Sequence, residues 1–104
     1  MAKFSILGSF DGSEIATAVP RDYRSLVRHV AEKGVRYTVI LFPHDRSHGG
    51  VSTSSLVRRA LSRVQSADRI FAVGGDFTRE ATALLDARGA TVAILLPYAC
   101  LPRP

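Results

Sequence analysis

The chain contains a single cysteine, no tryptophan and only two lysines, Lys3 and Lys33. Cys100 has no second cysteine to pair with, so no intrachain disulfide can staple the fold. A reducing, cytoplasmic setting is the expectation. Neither GxxxxGK[ST] nor GxGxxG occurs, which withdraws support from a P-loop NTPase and from a dinucleotide-binding site. Long apolar runs are missing too. Val92 to Leu96 is far short of the roughly 20 residues that cross a bilayer. The opening MAKFSILGSFDGSE has too little apolar length before Asp11 for a signal peptide. A soluble chain without membrane contact is therefore expected.

What is present suffices for one domain: 104 residues, 46% hydrophobic, can close a core unaided. The positive charge is almost all arginine, with a net charge of +5 and a pI near 10.1. Such a balance favours phosphate-bearing or acidic partners. It also fits arginines that merely coat solvated helix faces.

Local patterns divide the chain into alternating strands and helices. Lys3 to Ser9 reads as a first strand, followed by a turn at Asp11-Gly12-Ser13. Pro20 opens a helix whose apolar face is Tyr23, Leu26, Val27, Val30 and Ala31, with Gly34 as its stop. Arg36 to Phe42 carries the unbroken run Val39-Ile40-Leu41-Phe42 of a strand covered on both sides. PHDRSHGG, residues 43 to 50, is a polar loop. Ser52 and Thr53 offer caps to a helix with Leu56, Val57, Ala60, Leu61 and Val64 inward and Arg58, Arg59, Ser62 and Arg63 outward. Arg69 to Val73, Thr78 to Arg88 and Thr91 to Leu96 complete the pattern as strand, helix and strand.

These elements predict one α/β domain over residues 1 to 96, with a proline-rich tail from 97 to 104. The expected architecture is a three-layer, Rossmann-like or flavodoxin-like domain. It has four mainly parallel strands in the order 2-1-3-4 and helices on both faces. That order would bring the Gly8-Ser9-Phe10-Asp11 segment and the Gly74 to Glu80 segment to the two sides of one crevice.

Several residues are candidates for chemistry at that crevice. Gly74 and Gly75 precede a helix whose first amides attract an anion, yet Gly-Gly is also the simplest tight turn. Asp76 and Glu80 are carboxylates beside that helix start, suited to nucleophile or base. Asp76 or Thr78 serves equally as a helix cap, with Glu80 complementing the dipole. Gly8, Ser9 and Asp11 would meet the same ligand, although Asp11-Gly12 is also an ordinary turn. His44, Asp45 and His48 match no zinc spacing and read as a polar loop. No metal or other cofactor is implied.

The order of features resembles the small nucleoside 2-deoxyribosyltransferase-like proteins over nearly the whole chain. The first strand ends in Gly8-Ser9-Phe10, a helix ends at Gly34 and a strand ends in Phe42-Pro43. A helix then leads into Ser66-Ala67-Asp68, and an acid-bearing helix follows the next strand. The resemblance implies a nucleoside or nucleotide ligand and an enzyme acting on an N-glycosidic bond. Glu80 would be its glycosyl-accepting nucleophile and Asp76 would hold the base. Phe77-Thr78 stands where that family has Gly-Thr, and the step from Thr78 to Glu80 is one residue short. A noncatalytic relative is equally compatible.

A shorter stretch, Ala67 to Ala93, is similar to the C-terminal segment of Mrr-like restriction endonucleases. The match lies in Phe77-Thr78-Arg79-Glu80-Ala81 with Gly89 eight residues on. It implies DNA binding without cleavage. Lys33 is preceded at the E-x-K position by Ala31, and Lys3 by Met1, so the nuclease lysine motif is absent. The composition supports an alternative along the same line: a basic, noncatalytic module whose Arg58, Arg59 and Arg63 meet an acidic protein or nucleic acid. Homo-oligomerisation is compatible with either.

Overall fold

The computed structural model describes residues 4–42 and 51–95. The 43 to 50 loop with its two histidines and the tail from residue 96, Cys100 included, lie outside the described residues. Four strands form the main sheet: β1 (Ser5–Asp11), β2 (Arg36–Leu41), β4 (Arg69–Gly74) and β6 (Thr91–Ile94). A second, two-stranded sheet pairs β3 (Val51–Ser52) with β5 (Asp76–Phe77). Helices α1 (Ile15–Ala18), α2 (Arg24–Val30), α3 (Ser54–Ser62) and α4 (Arg79–Ala87) complete the fold.

The protein is α/β as expected, but the sheet is mixed. Its order is β1-β2-β4-β6, with β1 antiparallel to β2 and the other pairs parallel, which replaces the expected 2-1-3-4 arrangement. The cause lies between β1 and β2. One long helix from Pro20 to Gly34 would have crossed the sheet once and delivered a parallel strand. Instead the chain leaves through α1 and returns through a 3-10 turn at Arg21–Tyr23 and α2. Both ends of this excursion are fixed together: Gly12 N–H donates to Val35 O at 2.9 Å and Gly34 N–H to Asp11 Oδ1 at 2.9 Å. A chain that departs from and returns to the same sheet edge must run β2 against β1.

Strand alternation sorts the core into two layers, as period 2 requires. Ile40, Ile70 and Ala72 face α3 and α4, joining Leu56, Val57, Ala60, Ala81 and Leu85. Tyr37, Val39, Phe71 and Val73 face Ile15, Tyr23 and Val27 on the other side. Edge-to-face ring pairs reinforce both layers, Tyr37 with Phe71 at 5.4 Å and Phe42 with Phe77 at 5.3 Å. Burial pushes the Tyr23 phenol up to about 12, with the nearby Asp22 charge acting in the same direction.

Leu26 and Val30, expected to face inward, are exposed on α2. The helix ends at Val30 and turns extended at Ala31, so Gly34, at φ +87°, serves the following turn rather than a helix stop. The first strand likewise runs on to Asp11. Gly8, at φ +132°, lies in a bulge inside β1, where the pairing shifts between Ile6 and Gly8.

Candidate functional site

At the carboxyl ends of the parallel strands, the segment Gly74 to Glu80 begins as the sequence suggests. The Thr78 hydroxyl caps α4 by accepting the Ala81 N–H at 3.1 Å, and its own N–H donates to Ser52 O at 3.0 Å. Thr53 caps α3 in the same way through the Leu56 N–H. Two helices thus start side by side.

The groups proposed for ligand contact here are taken up by the fold. Asp76 lies in β5, where its Oδ1 accepts the Phe77 N–H at 2.8 Å. A Cβ on Gly74 would lie 3.0 Å from the Phe77 ring and 3.2 Å from Phe42 Cβ, so aromatic packing demands this glycine. Gly75 is buried between β4 and β5, and neither glycine has positive φ. Glu80 is exposed in the first turn of α4. There it complements the helix dipole.

The expected crevice does not form, because the antiparallel β1 carries Asp11 to the opposite end of the sheet. Asp11 pairs with Arg36 at the start of β2, whereas Gly74 pairs with Ile94 at the end of β6. At that opposite end Asp11 Oδ2 accepts the Ser13 N–H at 2.8 Å and the Ser13 hydroxyl, and Oδ1 accepts the Gly34 N–H. These bonds, the Ser13 hydroxyl first, hold the Asp11 carboxyl below the usual carboxylate range.

Sequence reasoning missed a second cluster beside it. The Ser9 hydroxyl donates to Asp68 Oδ2 and accepts from Arg36 Nε at 3.0 Å. Thr38 Oγ1 donates to the same carboxylate oxygen at 3.3 Å. Asp68 is held low chiefly by the Ser9 hydrogen bond. The cluster clamps β1, β2 and the approach to β4. No short-range pattern marks it, since Ser9 and Asp68 are 59 residues apart.

The arginines of α3 separate into two surroundings. Arg63, the C-cap of α3, places its guanidinium 5.5 Å from the centre of the Phe4 ring. Arg59 is exposed. Arg58 borders an open groove of about 350 Å³ between α3 and α4, lined also by Leu61, Ser62, Leu84, Ala87 and Arg88. Leu85 is buried in the core, and half-buried Leu84 packs against the same core while also lining the groove. Arg88, the C-cap of α4, is the basic residue the sequence did not single out.

Among the described residues no three His, Cys, Asp or Glu side chains are grouped to hold a metal ion. No helix among them is long and apolar enough to cross a membrane. Comparison of the chain with family models, with curated proteins and with solved structures finds no match.

Proposed function

We propose that the protein is a noncatalytic interaction module that binds an acidic partner through the α3 and α4 face. The observation that carries this reading is the groove flanked by Arg58 and Arg88. Neither guanidinium has an ion pair or hydrogen bond with another described residue. Two uncommitted cations on an exposed surface attract anions, and the net charge of +5 adds long-range steering. The glycosidase-like reading has weaker support, with Glu80 exposed and the Asp76 carboxylate accepting the Phe77 N–H.

Poly-L-glutamate and a single-stranded oligonucleotide are the polyanion probes that test the proposal. Two contacting arginines predict a roughly sevenfold loss of oligonucleotide affinity between about 50 and 200 mM salt. Binding should fall in Arg58→Glu and survive Glu80→Gln. Salt-insensitive binding, or nucleoside binding that Glu80→Gln abolishes in calorimetry, overturns the reading.

A further inference from the structure

We infer that the α3 and α4 groove takes an acidic amphipathic helix of a partner protein, which sets an aliphatic side chain on the floor and carboxylates against Arg58 and Arg88. The inference rests on the acidic-partner reading and adds the class and conformation of the partner.

Three features select this occupant. The floor is carbon: Leu61, Leu84 and Ala87 form it, and the Ser62 hydroxyl is turned back to donate to Arg59 O at 2.7 Å. An apolar floor discriminates against a strand of nucleic acid, whose bases need an aromatic platform to stack on or polar groups to read their edges. None of the lining residues is aromatic.

Second, the groove runs between two helices and contains no strand edge. An extended peptide would find no backbone partners there and would leave its N–H and C=O groups to water. A helix brings its backbone bonds already made, and presents anchors at i, i+3, i+4 and i+7 to such a groove. Third, the charges at the rim are of one sign. Arg58 and Arg88 lie on different helices and both flank the floor, so an occupant meets a cation from each helix. Carboxylates flanking an aliphatic anchor complement that arrangement.

The test is selection of a displayed random-peptide library on the full chain, followed by affinity measurements with the enriched peptides. The expected enrichment is Leu or Ile spaced three or four residues apart, with Asp or Glu beside them. Two variants alter exposed groove residues. Arg58→Glu combined with Arg88→Glu removes the cations, and Ala87→Lys fills the floor while making the chain more basic. Each should weaken binding by about tenfold or more, whereas Arg59→Glu, outside the groove, should change it by less than about threefold. Circular dichroism confirms that the variants fold.

The Ala87→Lys result separates groove binding from simple charge attraction, because the latter would tighten. Unchanged or tighter peptide binding in Ala87→Lys, or enriched peptides without acids, overturns the inference. If no peptide enriches but the oligonucleotide binds in an Arg58-dependent manner, the partner is nucleic acid and only the basic-face reading stands. If neither binds, both readings fall.

Discussion

The two ends of the sheet carry similar residues and use them differently. Each has a glycine beside an aspartate and a hydroxyl: Asp11-Gly12-Ser13 at one end, and Gly75, Asp76 and Thr78 at the other. At the first end the aspartate joins segments distant in sequence, receiving the Gly34 N–H across the β1 and β2 junction. At the second, the Asp76 carboxylate accepts the N–H of the next residue, Phe77, and Thr78 caps its own helix and donates its N–H to Ser52 O. Acid, hydroxyl and glycine in a short run therefore indicate a turn that must be held. Whether they also hold a ligand depends on what the fold leaves unused.

The glycines give the sharpest test of that contrast. A Cβ on Gly12 would fall 2.6 Å from the Glu32 carbonyl carbon and closer still to its oxygen, against backbone that cannot swing away. Gly12→Ala should cost about 3 kcal/mol in denaturant unfolding, with the α1 and α2 excursion displaced. Gly74→Ala presses on the buried Phe77 ring and Phe42 Cβ rather than on backbone and should cost less, about 1.5 kcal/mol. Equal losses would remove the distinction between the two ends.

The helix cap comes next. Thr78→Ala removes the acceptor of the Ala81 N–H and should lower stability by about 1 kcal/mol. In the same helix Glu80→Gln weakens only a dipole interaction and should cost a few tenths of a kcal/mol. A loss as large as that of Thr78→Ala would give Glu80 a structural role beyond the dipole.

The smallest effect is expected from the half-buried carboxylates Asp11 and Asp68, whose interactions solvent still screens. Asp11 and Asp68 both have folded pKa values below the ordinary 3.8. Their contribution is complete above that unfolded value and is lost as pH falls through the lower folded values. Unfolding measured across acidic pH should show stability declining below roughly pH 4, and Asp11→Asn with Asp68→Asn should flatten that decline. An unchanged acid limb would mean that neither clamp contributes.

The readable parts of the sequence were those governed by neighbours. The Val39-Ile40-Leu41-Phe42 run is a buried strand and its end, and Thr53 and Thr78 mark the helix starts, while Ser52, the other cap candidate, lies in β3. The strand expected from Arg69 to Val73 runs one residue further to Gly74. The hidden parts depended on contacts across the fold. Ile15–Ala18 is too short to show a helical period, yet it reverses the direction of the neighbouring strand. Arg36, Thr38 and Asp68 became a cluster with Ser9 only when that reversed strand brought Ser9 beside them.

Local patterns in the sequence by themselves carried the α/β class, the Thr53 and Thr78 caps and the excess of arginine, because hydrophobic period, capping and charge are properties of neighbouring residues. The pairing of β2 with β4, by contrast, replaces an expected order that put the first strand between them. Tertiary structure alone decided the edge on which β1 lies and, with it, that Asp11 and Glu80 never share a cleft. It also decided which arginines stay uncommitted: Phe4 takes Arg63, while the packing of α3 on α4 leaves Arg58 and Arg88 over an apolar floor. Strand direction and side-chain company are set by where the chain returns, and that depends on contacts between residues far apart in sequence.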